Sequence, residues 1–194
     1  MSFKEKWVKF QELNAGKNII LRKGNPKKDV DAFFEILSDT ENFTYYESYN
    51  NPPKDKNMVM RIVENMVRDF EKHYTYIWVI TQKKDDKPIG RIHLFNFSNE
   101  NKCAEIGYFL DKKYWNKGIM TSCVNSITKF AFEHLEIERI IARMAVDNIG
   151  SWKAVEKNKY TREGKLKHSF FAKDKVYDSY LYAKIFTDKK KRMV

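Results

Sequence analysis

The sequence predicts an α/β domain built on a mixed, mostly antiparallel sheet of about seven strands, with helices packed against it. Three observations carry that expectation. Strand-length apolar runs at 74–81, 88–97 and 103–111 follow one another across short polar turns, the pattern of an antiparallel meander. A run from Ile119 with apolar residues at helical spacing then leads into the apolar run 139–146, a crossover suited to parallel pairing. The chain closes on two more runs of strand character, 161–171 and 176–185, joined by the turn AKDK.

In chain order, MSFKEKWVKFQEL sets Phe3, Trp7 and Phe10 at helical spacing. This predicts a helical extension within residues 1–17 that docks on its own domain or on a second subunit rather than on a membrane surface. NIILRKG reads as a short strand, and Pro26 with the acidic residues ahead of the apolar face of 25–37 signals a helix start. Residues 38–56 hold turn residues and the pair Pro52 and Pro53, so they read as a loop or broken helix. The aromatics Phe43, Tyr45, Tyr46 and Tyr49 in that loop would be unusual without a binding role. Met58, Ile62, Met66 and Phe70 recur about a turn apart, which makes 57–73 a helix. After the meander, Met120, Cys123, Val124, Ile127, Phe130, Ala131 and Leu135 form one stripe, so that helix packs on the sheet along much of its length. A short helix over NIGSWKAVEKN precedes the closing strands. Residues 187–194 form a basic tail, expected to be a solvated terminus, and one domain accounts for 1–194.

Lys and Arg outnumber Asp and Glu by 37 to 26, a formal net charge of +11, so the surface field draws nucleotides, nucleic acid or acidic proteins without choosing among them. Hydrophobic residues at 42%, with only seven Gly and four Pro, exclude a disordered or collagen-like chain. Cys103 and Cys123 lie inside apolar patterns without ligand-like spacing, as buried free thiols in a reducing compartment would. No run approaches the length of a membrane span and no apolar stretch follows the first basic residues, so the expected location is cytoplasmic. His73, His93, His134 and His168 are scattered, and no Ser/His/Asp constellation stands out; neither a metal site nor hydrolase chemistry is expected.

The stretch AEIGYFLDKKYWNKGIMTSCV, 104–124, passes from an alternating strand through a basic, glycine-containing turn into a helix. A helix start presents unpaired N–H groups and the positive end of the macrodipole. A glycine just before it lets several donors converge with no Cβ in the way, and Lys113 and Lys117 add counter-charge. A phosphate-bearing ligand suits this arrangement. For Gly118 alone, an ordinary strand-to-helix turn is the other account.

Taken with VDNIGSWKAVEKNKY and REGKLKHSFFAKDKVYDSYLYAKI, in order over 104–185, this stretch resembles the GNAT superfamily of acetyl-CoA-dependent N-acetyltransferases. Within it the chain is most similar to the RimJ/RimL type, the ribosomal-protein N-terminal acetyltransferases. The family's phosphate turn, Q/R-x-x-G-x-G/A, falls on Trp115, Asn116, Lys117, Gly118, Ile119 and Met120. Gly118 is kept, while Trp115 replaces the Gln or Arg and Met120 the small residue. The resemblance implies acetyl-CoA as co-substrate, held by that turn and by Thr121 in the helix behind it. It also implies that the strand holding Tyr108, Phe109 and Leu110 splays from the strand RIIARMAV, so that pantetheine fills the gap like an added strand. The thioester would then lie near the backbone N–H groups around Tyr108 and Phe109, which could stabilise the developing oxyanion.

Asn148 and Ser151 match the family's Asn-x-x-Ser, expected on the pantetheine or beside the thioester; Asn148 is equally good as an N-cap. Strand alternation puts Glu105 on the same face as Gly107 and Phe109. There it is the candidate base, directly or through water, and an ion pair with Arg91 or Arg143 is the alternative. Many relatives place a tyrosine, the acid for the departing thiolate, where this chain has Val155, which leaves Ser151 or water for that task. Lys159 stands where a glycine usually precedes the aromatic residue, here Tyr160. The acceptor the resemblance implies is a primary amine, first of all a ribosomal-protein-like N-terminal α-amino group, with Tyr45, Tyr46 and Tyr49 lining its groove. Polyamines, amino-acid derivatives and antibiotics are alternative acceptors, and a non-catalytic acyl-CoA- or nucleic-acid-binding module is the remaining reading. No membrane partner is expected and no nucleic acid is required. The resemblance and the apolar N-terminal segment both accommodate a homodimer.

Overall fold

The structure is a computed structural model that describes residues 7–46, 51–172 and 175–187. Its strands are β1 (Leu13–Asn14), β2 (Ile19–Arg22), β3 (Tyr76–Gln82), β4 (Pro88–Ser98), β5 (Cys103–Leu110), β6 (Arg139–Ala145), β7 (Thr161–Ala172) and β8 (Lys175–Ile185). Among the described residues they form one eight-stranded sheet in the order β1-β2-β3-β4-β5-β6-β8-β7. The two-residue β1 is the strand that the sequence patterning does not anticipate. Every neighbouring pair is antiparallel except β5 and β6, which are parallel. The expected crossover accounts for this, because α3 (Ile119–His134) carries the chain from β5 back to the start of β6.

The other helices are α1 (Pro26–Ser38), α2 (Lys56–Glu71) and α4 (Ile149–Lys157), with short 3-10 turns at Thr40–Phe43 and Lys112–Tyr114. Helix α1 begins where Asn25 accepts from the N–H groups of Lys27 and Lys28, with Pro26 next in line where its missing N–H costs nothing. Helix α2 begins where Asp55 accepts from Met58 N at 2.8 Å. The sheet separates two cores. On one face Trp78, Leu94, Ile106, Val124, Ile127 and Phe130 pack together. On the other, Phe33, Phe43, Val59, Val63, Val79 and Phe109 do so. Each fully buried side chain of this size contributes on the order of 1.5–3 kcal/mol, so the strand alternation of apolar residues towards both faces holds the sheet in register.

The expected N-terminal helix differs from the structure. Residues 1–6 lie outside the described residues, and 7–12 are not helical. Their backbone is tied to buried side chains instead: Tyr76 Oη accepts from Gln11 N at 3.0 Å and donates to Lys9 O at 3.1 Å, and the Trp78 indole donates to Gln11 O at 2.9 Å. Trp7 and Phe10 thereby enter an aromatic cluster with Phe70 and Tyr76. The spacing of the aromatics is real, but the sheet rather than a helix groove receives them.

A buried ion-pair network fixes β2 to α1. The guanidinium of Arg22 holds the fully buried Asp29 by two bonds, of 2.7 and 3.0 Å, and its Nε reaches Asp86 at 2.6 Å. Asp29 also accepts from Asn25 N at 2.8 Å, so the charged groups are hydrogen-bonded as burial requires.

Candidate active site

The parallel ladder between β5 and β6 runs only from Cys103↔Arg139 to Glu105↔Ile141. Beyond that rung β5 continues on β4 to Gly90↔Leu110 and β6 continues on β8 to Ala145↔Ser179, so the two strands part inside the sheet. Asp111 N donates to Ile89 O at 2.8 Å, which sets the phase of the β4–β5 ladder. Odd-numbered residues of β5 turn their backbone groups to β4, and Ile106, Tyr108 and Leu110 turn theirs towards β6. The N–H groups of Tyr108 and Leu110 therefore face the opening. Phe109 lines the cleft there, but its backbone is turned to β4, so the donors at the opening belong to its neighbours.

A cleft of about 500 Å³ occupies the opening, a size typical of small-molecule sites. It is lined by Tyr108, Phe109 and Leu110, by the turn residues Trp115, Asn116, Lys117 and Gly118, and by Ile119, Met120 and Thr121 at the start of α3. Gly118 has φ +72° and no side-chain cap, and a Cβ built on it would meet nothing within 4 Å. Asn116 is also left-handed, at φ 58°. The turn thus leaves the first N–H groups of α3 open towards the cleft. Trp115, at the family's Gln or Arg position, folds its indole N–H back onto Leu110 O at 2.7 Å and so satisfies one carbonyl that faces the opening. Lys117 lines the cleft, whereas Lys113 does not. Lys153 and Lys157 of α4 line it as well. Their four-residue spacing on a short helix is the signal in the sequence that marks them.

Helix α4 closes the opposite wall. Asn148 Oδ1 accepts from Ser151 N at 3.3 Å, so Asn148 caps the helix and also lines the cleft. Ser151 Oγ lies 3.0 Å from Tyr108 Oη, and the Tyr108 hydroxyl reaches Ser151 O at 3.1 Å. Burial pushes the Tyr108 phenol up to about 12. Val155 is fully buried in the core below this wall.

On the other face of the sheet, Glu105 forms a bidentate pair with Arg143, at 2.6 and 3.1 Å, and accepts from Asn96 at 3.0 Å. This is the ion pair weighed as its alternative role. The carboxylate sits at the last rung before the strands part and is not among the residues that line the cleft. Beside it, His93 lies over Gly107, where an added Cβ would come within 2.8 Å of the ring. Burial, reinforced by Arg91, holds the His93 imidazole well below its ordinary value. Tyr45 and Tyr46 line the cleft from the loop, Tyr46 accepting from Arg91 at 2.9 Å and Tyr45 meeting Tyr177 edge-on. Tyr49 lies outside the described residues. The loop is latched to the 3-10 turn at Lys112–Tyr114 by Asn42, which accepts from Lys112 N at 2.8 Å, and by the Lys112 ion pairs with Asp39 and Glu41. Among the described residues no three His, Cys, Asp or Glu cluster as metal ligands, and no helix is long and apolar enough to cross a membrane.

Comparison with known proteins matches residues 18–161 to the acetyltransferase (GNAT) domain family. Probable N-acetyltransferase YjcK of Bacillus subtilis (strain 168) is 34% identical over 155 residues, 77% of this chain and 83% of the relative. The ribosomal-protein-serine acetyltransferase of Escherichia coli (strain K12) is 30% identical over 125 residues, 64% of this chain and 69% of the relative. Among solved structures, RimL, the ribosomal L7/L12 alpha-N-protein acetyltransferase in complex with coenzyme A, superposes with TM-score 0.81 at 19% identity, covering 91% of this chain and 98% of that one. Microcin C7 self-immunity acetyltransferase MccE, in complex with acetyl-CoA and AMP, gives TM-score 0.81 at 21% identity over 93% and 99% of the two chains.

Proposed function

This chain belongs to the GNAT acetyltransferase family and is an N-acetyltransferase, and from that premise we propose that it transfers acetyl from acetyl-CoA to the N-terminal α-amino group of a protein. The observation that carries the use of acetyl-CoA is the parting of β5 and β6 above Glu105↔Ile141, with the Gly118 turn opening on the same cleft. The residues fit the ligand: Gly118 and the start of α3 would hold the pyrophosphate, with Lys117, Lys153 and Lys157 as counter-charges. The N–H groups of Tyr108 and Leu110 would pair with the pantetheine amides and polarise the acetyl carbonyl. Acetyl-CoA supplies the activated acyl group as its thioester.

The acceptor assignment is supported by the ribosomal-protein-serine acetyltransferase of Escherichia coli, 30% identical over its matched span, and by the charge of the acceptor face. Arg91 bonds the cleft-lining Tyr46 and Arg143 pairs with Glu105, and with a formal net charge of +11 on the chain this suits an N-terminus on an anionic partner better than a polyamine. Glu105 accepts the amine proton through a water, a modest task because an α-amino group has an ordinary pKa of about 8. Ser151 lies on the leaving-group side.

The test has two steps. Saturating acetyl-CoA should raise Tm by several degrees, since a ligand at about 100 times its Kd adds about 2.7 kcal/mol to the folded state. No shift would remove the acetyl-CoA assignment. Thiol release should then be screened with peptides bearing free N-termini, with spermidine and with aminoglycosides. Release that depends on spermidine or aminoglycoside and not on any peptide would replace the acceptor proposed here.

A further inference from the structure

Val155 leaves this chain without a tyrosine at the family's acid position, yet a tyrosine hydroxyl stands in the cleft from another element. Tyr108 is on β5, where the strand has already left β6, and its side chain crosses to the start of α4. Its one hydrogen can go only to a carbonyl in the contact with Ser151 O, at 3.1 Å. The 3.0 Å contact between the two hydroxyls must then have Ser151 Oγ as donor and Tyr108 Oη as acceptor. The chain of donors runs from Ser151 to Tyr108, and Tyr108 is its terminus. Both side chains line the 500 Å³ cleft, and the Tyr108 N–H faces the opening where the acetyl carbonyl would be held. The phenol therefore belongs to the same residue whose N–H faces the place proposed for the acetyl group.

Resting on the acetyltransferase reading above, we infer that Tyr108 is the residue that protonates the departing thiolate, with Ser151 resupplying it. As the amine nitrogen bonds to the acetyl carbon and the carbon–sulfur bond breaks, Tyr108 turns its O–H from Ser151 O to the sulfur and gives up the proton. Ser151 passes its own proton to Tyr108, and cleft water restores Ser151. The nitrogen loses one proton to water on the Glu105 side, so one proton leaves and one enters and charge is conserved.

The same geometry should be readable without turnover. A hydroxyl that donates to the sulfur stabilises bound CoA as thiolate, so the thiol of bound CoA should titrate lower in the wild type than in Tyr108→Phe, by about one pKa unit, a tenfold change in acidity. The measurement is the ultraviolet thiolate absorbance of the protein–CoA complex against pH, with Kd for CoA determined on each protein. Ser151→Ala, which leaves the phenol in place, should move that titration less than Tyr108→Phe does. In steady-state assays Tyr108→Phe should lower kcat by about a hundredfold while KM for acetyl-CoA stays within about twofold. Equal thiol titration in wild type and Tyr108→Phe, with CoA bound to both, overturns the role of Tyr108 and leaves the acetyltransferase reading standing. A larger shift in Ser151→Ala than in Tyr108→Phe transfers the role to Ser151. Failure of the wild type to bind CoA overturns both readings together.

Discussion

Glu105 shows how little a residue's place on a strand says about its chemistry. Alternation put it on the face of Gly107 and Phe109, but the carboxylate is gripped by Arg143 and Asn96 rather than turned to the cleft. A base that works through water tolerates such a grip, since three accepted hydrogen bonds leave the carboxylate one lone pair for solvent. Glu105→Gln should therefore lower kcat about tenfold or more and leave the acetyl-CoA Kd within about twofold. Unchanged turnover would reduce Glu105 to a clasp for β6. Trp115 is the reverse case. Its mismatch with the family pattern was plain in the sequence, but its bond to Leu110 O was not, because a turn residue's indole can meet a strand carbonyl only once the turn has doubled back.

At the scale of elements, the end of α4 answers a question that the sequence raised. Tyr160 N bonds Val155 O at 3.1 Å and Lys159 N bonds Glu156 O at 2.8 Å, the paired bonds of a Schellman ending. Lys159 takes the left-handed position, at φ 61°, where relatives use glycine. A side chain there costs about 1 kcal/mol, and Lys159 is not among the residues that line the cleft. Lys159→Gly should raise the unfolding free energy by about 0.5–1 kcal/mol in urea melts, with activity unchanged. A loss of stability would mean that the lysine makes contacts worth more than the strain. The N-terminal segment marks the opposite limit. Apolar residues spaced for a helix also suit an irregular strap whose aromatics are claimed by a cluster, and Tyr76 and Trp78, which decide between the two, lie more than sixty residues away in the chain.

For the whole molecule, the positive charge of the chain coexists with many carboxylates held below their ordinary values. Arg139 lowers Glu163, Lys112 lowers Asp39 and Lys165 lowers Asp178. At Asp86 burial acts upward, and hydrogen bonds from Lys28 and Arg22 outweigh it. Each group is more acidic folded than unfolded, so its contribution is complete above the unfolded pKa of about 4 and is lost as pH falls through the folded value. Thermal melts should show a Tm that already declines below about pH 6.5, where unfolded His93 takes up a proton that its buried folded form does not, and that falls further below about pH 4 as the carboxylate pairs are lost. A Tm unchanged at about pH 2.5 would show that these pairs stabilise nothing.

The order of strands from β2 onward and of helices from α1 onward, the meander and the crossover that makes one parallel pair, and the glycine turn before α3 were determined by the sequence itself. Each depends on periodicity or on a residue's backbone freedom, which are local properties that neighbouring residues express unaided. The tertiary structure alone decided where β5 leaves β6, which backbone groups of β5 face the gap, and that Tyr108 meets Ser151. Those depend on the phase of hydrogen bonding between strands and on the approach of a helix 43 residues further along, relations set by the sheet as a whole and carried by no single stretch of chain.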